Sequence, residues 1–157
     1  MSDYAYNQLG GVIRKIDGAI IPADPRNADY QTFIASGETP NAYIAPAPTV
    51  AQSYIAAIVA GCTIASAGTP ALNGTYAICG PTWADMKDEA QYIQTFGVFS
   101  GNQTSIGWEL LGSGAIAFTA PAQLLAVVRS LGDYLTALKI AAKQLTWTAP
   151  AQPKAIS

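Results

Sequence analysis

The sequence predicts an α+β fold, in which short antiparallel hairpins are packed by helices and the last helix is the longest. Each β-like segment is short, is bounded by turn-forming residues, and is followed by a segment whose apolar residues have helical spacing. Half of the 157 residues are hydrophobic, which is enough to build a core. The expected parts are an N-terminal hairpin–helix module (residues 1–37), a Pro-rich linker (38–49), an α+β domain (50–145) and a C-terminal arm (146–157).

The first module is predicted to begin with a β-hairpin. The β-branched residues among 11–16 indicate one strand, and residues 19–21 return as the second strand. Asp17 and Gly18 lie between them. This pair favours a two-residue type I′ turn, because both central residues of that turn need a positive φ.

A short helix is expected after the hairpin. Asp24 is a good N-cap, and Pro25 suits the first helical position, where its missing N–H costs nothing. Gly37 ends this helix as a left-handed cap. Residues 38–49 then contain three prolines and little periodicity, which is typical of a linker between two modules.

The domain after the linker is predicted to start with a helix and a hairpin. Residues 50–60 are rich in alanine and carry their larger apolar residues at helical spacing, and Gly61 closes this helix. Residues 62–66 and 75–78 are β-like and flank a turn-rich loop. That arrangement predicts that the two segments pair as a hairpin.

A further helix and hairpin are expected next. Thr82 is a plausible cap for a helix over residues 83–96, because an acidic residue follows three positions later. Residues 106–111 and 115–118 are then predicted to pair across the Gly-Ser-Gly turn at 112–114.

The last helix has the clearest pattern in the chain. Apolar side chains from residue 124 to residue 145 recur with a 4-3-4-3-4-3 spacing, which is an unbroken a/d stripe. One interpretation lays this stripe across the sheet of the same chain, and the other places it against a second copy. The candidate interface residues under the second interpretation are Leu124, Val128, Leu131, Leu135, Leu138, Leu145 and Trp147.

The sequence lacks the residues of common catalytic and metal-binding sites. It has no histidine, which excludes Ser–His and Cys–His nucleophile arrangements. Cys62 and Cys79 belong to no zinc-binding motif and are interpreted as reduced, buried side chains, with contact across a hairpin as the alternative. Asp85 and Glu89 share one helix face, which is typical of a solvated surface. We therefore predict that the chain is not an enzyme and holds no metal or cofactor.

The surface is predicted to carry little charge. Only 11% of the residues are charged, against about one quarter in ordinary soluble domains, and the formal net charge is −2. Part of such a surface is expected to be covered by other copies or partners, unless the composition reflects an alanine-rich source. The sequence shows no Lys/Arg cluster for nucleic acid, no signal peptide and no membrane-inserting segment.

Aromatic residues suggest a further hypothesis, which is glycan binding. Trp and Tyr rings that reach the surface can stack on sugars, and Tyr43 and Trp108 are the candidate contacts. Basic residues do not alternate with the aromatic ones, which argues against nucleic-acid bases as ligands.

Two stretches of the chain resemble proteins of tailed bacteriophages. DGAIIPADPRNADYQTFIASGETP (residues 17–40) resembles a short module common near tail-fibre genes, in which a DG turn and IP-x-DP-x-N-x-DY precede a helix and a Thr-Pro linker. The module usually continues with a tryptophan and a longer acidic helix end, which this chain lacks. SAGTPALNGTYAI (residues 66–78) and the helices around it resemble an uncharacterised domain of phage tail and prophage proteins. The residues that match the first module are Asp17, Gly18, Ile21, Pro22, Asp24, Pro25, Asn27, Asp29 and Tyr30.

The resemblance implies a structural component of a bacteriophage tail, either in the tail tip or baseplate or as a fibre-associated adaptor. Its partners would be other tail proteins and further copies of itself, since tail oligomers are cyclic. The chain would be synthesised in the host cytoplasm and reside in the virion. The alternatives are a tail-fibre assembly chaperone and a host-glycan-binding module of the tail. The resemblance carries no catalytic residues over to this chain.

Overall fold

The computed structural model describes residues 2–112 and 114–156 of the chain. The fold is α+β as predicted, with four α-helices and three small sheets within these residues. The chain forms two compact units, Met1–Ala47 and Pro48–Ser157, which we call the N-terminal unit and the C-terminal unit. Their division falls inside the stretch predicted as a linker. The start of that stretch belongs to the N-terminal unit, because Asn41 forms a parallel bridge with Ala5.

The N-terminal unit is a three-stranded antiparallel sheet followed by one helix. Strand β2 lies in the middle, so that Ile13 is opposite Ala5 on one side and Ile20 on the other. The sequence analysis does not predict β1, because Tyr-Ala-Tyr is too short to show a period of two. The elements are β1 (Tyr4–Tyr6), β2 (Val12–Arg14), β3 (Ile20–Ile21) and α1 (Ala28–Ser36).

The predicted two-residue turn at Asp17 and Gly18 is wrong. Residues 15–18 form a longer loop, in which the Gly18 N–H donates to the Arg14 carbonyl (2.9 Å) and the Arg14 N–H donates to the Ala19 carbonyl (3.0 Å). Gly18 takes a positive φ of 71°, whereas Asp17 does not. The Asp17 carboxylate instead accepts hydrogen bonds from the Arg14 guanidinium and the Ala19 N–H, which holds the longer loop closed.

The predicted start of the first helix is also wrong, by three residues. Asn27 is the N-cap, and its Oδ1 accepts from the Tyr30 N–H at 3.0 Å. Asp24 makes a similar bond one step earlier, where its Oδ1 accepts from the Arg26 N–H at 2.9 Å and forms a turn before the helix. The end of the helix is as predicted, because Gly37 takes a left-handed φ of 64°.

The C-terminal unit contains the remaining helices and two further sheets. The predicted hairpins and helices are all present, although their ends shift by a few residues. Ser113, the middle residue of the predicted Gly-Ser-Gly turn, lies outside the described residues. The elements are α2 (Val50–Ala60), β4 (Cys62–Ser66), β5 (Gly74–Tyr76), α3 (Gly80–Phe96), β6 (Ile106–Glu109), β7 (Ala115–Phe118), α4 (Pro121–Ala141) and β8 (Lys154–Ile156).

A capping box and a proline mark where two of these helices begin. A capping box starts α2: the Thr49 hydroxyl accepts from the Gln52 N–H at 3.2 Å, and the Gln52 side-chain oxygen accepts from the Thr49 N–H at 2.8 Å. Helix α3 begins at Gly80, so the predicted cap Thr82 lies inside its first turn and Cys79 occupies the cap position. Pro81 fits that first turn because it lacks an N–H.

Helix α4 is the centre of the C-terminal core. It contacts α2, α3, β4, β7 and β8. The largest fully buried side chains of the core come from these elements and from the segments that connect them. Those side chains are Tyr76, Tyr134, Phe99, Phe118, Ile64, Leu72, Ile78, Met86, Leu124, Leu131, Leu138 and Val127.

The predicted separate C-terminal arm is wrong, since its end is part of the sheet. Strand β8 pairs in parallel with β4, so that Ala155 is opposite Ala65, and the sheet order is β5-β4-β8. Gln152 ties this segment down: its side chain accepts from the Thr63 N–H at 2.8 Å and donates to the Tyr134 hydroxyl at 2.5 Å. The segment was predicted as an arm because its prolines exclude a helix and its strand partner is distant in sequence.

Candidate interaction surfaces

Most of the predicted interface on the last helix is core instead. Leu124, Leu131 and Leu138 are each 0% exposed, because they pack against the elements of their own unit. Val128 and Leu135 are partly buried against the same core. The interpretation of this stripe as a seam with a second copy is therefore wrong for Leu124, Leu131 and Leu138. A helix in a core and a helix in an interface show the same apolar stripe. The a/d spacing indicates that one helix face is buried, but it does not indicate whether the same chain or a second copy buries it.

The last two predicted interface residues lie beyond the helix. Helix α4 ends at Ala141, four residues short of Leu145, with tightened bonds such as Lys143 N–H to the Ile140 carbonyl (3.0 Å). Leu145 is 100% exposed. Trp147 packs against the core and is partly buried.

The two candidate glycan contacts belong to different units. Tyr43 lies in the N-terminal unit and is exposed. Trp108 lies on β6 of the C-terminal unit, where it packs against the core and is partly buried. The core therefore covers part of the indole, and its remaining surface is the part that a sugar would have to contact.

The N-terminal unit presents most of its large apolar side chains on the outside. Within the described residues 2–47, the buried side chains are Tyr4, Ile21 and Pro40. A sheet and helix of this size cannot enclose more, since a small unit has a high ratio of surface to volume. We call the exposed set the outer apolar residues: Tyr6, Leu9, Ile16, Ile20, Ile34, Tyr43 and Ile44.

Two of the outer apolar residues stand at the tips of loops. Leu9 lies in the β1–β2 loop and is 94% exposed, and Ile16 lies in the β2–β3 loop and is 90% exposed. Successive loops of an antiparallel sheet lie at opposite ends of the strands, so the two tips bracket the sheet. The sequence analysis missed both residues. Their signal was an aliphatic side chain inside a turn-rich stretch, where polar residues are usual.

Helix α1 adds a shallow apolar groove to this surface. Phe33 holds the helix to the sheet through an edge contact with Tyr4, with ring centroids 4.9 Å apart. The opposite side of the helix stays open, and every residue of α1 keeps some exposure. The groove has a volume of about 270 Å³ and is lined by Pro25, Tyr30, Gln31, Ile34 and Ala35.

Ion pairs fix the frame beneath this surface. Arg14 on β2 donates to Asp17 (2.7 Å) and to Asp29 on α1 (2.8 Å), so one guanidinium joins the sheet, the loop and the helix. The hydrogen bond from Arg14 lowers the pKa of Asp17 to about 2, and the same two carboxylates raise the pKa of Arg14. Water screens these exposed pairs, so they orient the loop and helix more than they stabilise them.

The N-terminal residues are tied to the end of α1. Glu38 accepts from the Ser2 hydroxyl at 2.6 Å and from the Asp3 N–H at 2.8 Å. These two bonds, the Ser2 hydroxyl first, lower the pKa of the Glu38 carboxyl. Ser2 and Asp3 are thereby held next to the C-terminal end of α1.

The remaining reactive groups have structural surroundings. Both cysteines, which lie within the described residues, are free thiols, and Cys79 is exposed, which corrects the prediction that both are buried. Burial raises the pKa of the Cys62 thiol to about 11. Glu89 on α3 accepts from the Ser100 N–H at 2.9 Å and so fixes the following turn. Across residues 2–112 and 114–156, no group of three or more His, Cys, Asp or Glu side chains is placed to hold a metal ion.

A helix that crosses a bilayer needs about 20 consecutive, mostly apolar residues. Among the helices that the structure describes, none combines the length and the apolar content needed to cross a membrane.

Comparisons with known proteins add no family to these observations. Neither a protein-family model, nor a curated protein, nor a solved structure matches this chain significantly. The functional argument therefore rests on the residues and surfaces described above.

Proposed function

We propose that this chain is a structural component of a bacteriophage tail, located in the tail tip or baseplate or attached to a fibre. It acts through protein–protein contacts rather than through catalysis. The observation that carries the proposal is the exposure of the outer apolar residues on the N-terminal unit. A single exposed aliphatic side chain is ordinary, but several on one small unit are typical of a surface that a partner covers.

The energetics of docking are compatible with this surface. Burying one fully exposed Leu or Ile side chain is worth about 1.5–3 kcal/mol. Leu9, Ile16 and Ile44 are almost entirely exposed and could each fill a pocket on a neighbouring tail protein. Association costs on the order of 4–15 kcal/mol in lost freedom, so several such anchors are needed together. A unit that bears them at both ends of its sheet and on its helix can supply that number.

The residues that carry the phage resemblance give further support. Asp17 and Asp29 both bind Arg14, Asn27 caps α1, and Ile21 is buried. These four residues therefore build the frame of the N-terminal unit, and none of its outer apolar residues is among them. A shared module that docks onto different tail proteins would have this division between frame and surface.

Quantitative mass spectrometry of purified virions tests the proposal. The particles come from the phage or prophage that encodes the chain, and their tails are separated from the heads before analysis. We expect the chain in the tail fraction, at a fixed ratio to other tail proteins between preparations. Absence of the chain from mature particles would overturn the proposal. If the chain were then found bound to fibre protein in the lysate, the assembly-chaperone alternative would replace it.

A further inference from the structure

The end of the chain covers part of the C-terminal core without being enclosed by it. Among the described residues 142–156, none is fully buried, and residues 145–151 form no hydrogen bond with another described residue. Trp147 and Ile156 pack against the core but stay partly exposed. An open groove of about 450 Å³ lies between residues 148–150 and the end of α4. We call residues 142–156 the C-terminal strap.

The strap is attached mainly at its far end. Strand β8 pairs with the edge of β4 over three residues, with Lys154 opposite Ile64. It lies between β4 and α4 and contacts both. The Lys154 Nζ is 5.8 Å from the centre of the Tyr134 ring on α4. All of these partners are remote in sequence, so the strap can lose them together without disturbing a neighbouring turn of chain.

Gln152 joins the strap to β4 and α4 at once. Its side-chain oxygen accepts from the Thr63 N–H at 2.8 Å, and its side-chain nitrogen donates to the Tyr134 hydroxyl at 2.5 Å. Tyr134 is 2% exposed, and Gln152 is the hydrogen-bond partner of its hydroxyl among the described residues. A buried hydroxyl without a partner is unfavourable, whereas water can satisfy it once the strap is open. Gln152 therefore favours the closed position.

The fold beneath the strap has its own support. The other edge of β4 pairs with β5, with Thr63 opposite Thr75. Helix α4 also packs against α2, α3 and β7. The largest fully buried side chains of the chain all lie within residues 64–138, so none of them belongs to the strap. Loss of the strap contacts would leave this core in place.

We propose that the C-terminal strap opens and closes as one unit while the rest of the C-terminal unit stays folded, and that Gln152 is the residue that holds it closed. A segment with little buried apolar surface opens at a lower free energy than the whole domain unfolds. An open strap leaves β4 with an unpaired edge, which is a template for an extended segment of another chain. The inference concerns the folded chain itself and does not depend on the proposed role in the tail.

Amide hydrogen exchange of the purified full chain, resolved by residue with NMR, tests the opening. The Thr63 N–H is a direct reporter, because its partner is a strap side chain rather than β5. We expect this N–H and the β8 N–H groups that pair with β4 to share one protection factor, at least about 100-fold below that of the core amides of α4. Low concentrations of urea should barely change exchange in the strap, because its opening exposes much less surface than global unfolding does.

Gln152→Ala tests which residue holds the strap closed, and Gln144→Ala is the matched control. Gln144 lies in the same strap and is exposed, and its side chain forms no hydrogen bond with another described residue. The readout is exchange of the β8 amides, which Gln152 does not itself bind. We expect Q152A to speed this exchange about tenfold, because two hydrogen bonds are lost, and Q144A to leave it as in the wild type. Unchanged exchange in α4 shows that each variant keeps its core.

Tyr134→Phe removes the other partner of the same hydrogen bond. It should also speed exchange of the β8 amides, because the closed strap then lacks one of its two side-chain bonds. The double variant Q152A/Y134F should exchange no faster than Q152A alone, since the bond between the two residues can be lost only once. Faster exchange in the double variant would mean that the two residues act separately.

Three results would overturn the inference. If the strap amides exchange as slowly as the α4 core and respond to urea in the same way, the strap opens only when the whole unit unfolds. Strap amides without protection in the wild type would mean that the segment is not held closed. Equal exchange of the β8 amides in Q152A and Q144A would mean that Gln152 does not hold the strap.

Discussion

Substitution of one leucine on α4 distinguishes a core helix from a helix that meets a second copy. Leu131 and Leu145 belong to the same a/d stripe in the sequence. The structure separates them completely, since Leu131 is 0% exposed and Leu145 is 100% exposed. We expect Leu131→Ala to destabilise the C-terminal unit strongly and Leu145→Ala to leave it unchanged.

The magnitude follows from burial and packing. Removing a fully buried leucine side chain costs about 2–5 kcal/mol, which includes the lost transfer free energy and the cavity that remains. Leu131 packs among the elements around the centre of α4, where neighbours on several sides limit collapse into the cavity. We therefore expect about 3 kcal/mol. For a unit of roughly 100 residues this corresponds to a drop in Tm of about 10 °C or more.

Urea unfolding followed by far-UV circular dichroism measures both variants, with thermal melting as a second probe. Each melt is repeated at several protein concentrations. If the stripe is core, the loss in Leu131→Ala is the same at every concentration. A loss below about 1 kcal/mol, or a loss that grows on dilution, would mean that a second copy covers the stripe and would refute the assignment.

Three further predictions use other parts of the chain. Gly61→Ala should destabilise the C-terminal unit, because the new Cβ would overlap the Tyr76 carbonyl oxygen and the φ of residue 61 is 75°. At Gly132 an added Cβ meets open space, so Gly132→Ala should stabilise α4 by about 1 kcal/mol or less. Urea unfolding measures both variants. In the native protein a maleimide should label exposed Cys79 but not buried Cys62, and intact-mass spectrometry should show two labels only after unfolding. NMR titration should give the Asp17 carboxyl a pKa of about 2, lowered on folding from 3.8. The contribution of this carboxyl to folding stability is therefore present above about pH 4 and is lost as the pH falls towards 2.

The sequence predicts well the elements that are specified locally. The helices α2, α3 and α4 and the β4–β5 and β6–β7 hairpins all follow from helical spacing, caps and turns that lie within one stretch of chain. Strands β1 and β8 were missed because three residues carry no visible alternation. Their partners are also remote, since Ala155 pairs with Ala65 across most of the unit. The sequence predicts a polar N-cap for α1 but not its position. Asp24 and Asn27 are both suitable cap residues, and each accepts a hydrogen bond from a nearby N–H.

The sequence predicts that some apolar surface is covered, but it does not predict which residues form that surface. Low charge predicts that some surface is covered, but a spacing pattern cannot say which side of an apolar helix stays open. For that reason the stripe on α4 fits an interface as well as a core. Only the fold determines that the elements of its own unit surround it.

We propose that the N-terminal unit docks this chain into the tail through its exposed apolar side chains. The incorporation of variants into virions tests this docking. Phage lacking the native gene are complemented with wild type, with L9K/I34K, or with I140K as a control, and the copy number of the chain in purified tails is measured by mass spectrometry. Ile140 lies in the C-terminal unit and is as exposed as Ile34, at 59% against 58%. We expect normal incorporation of wild type and I140K and loss of L9K/I34K from tails, although the purified variant remains folded. Equal incorporation of all three proteins, or absence of the wild type from tails, would contradict it.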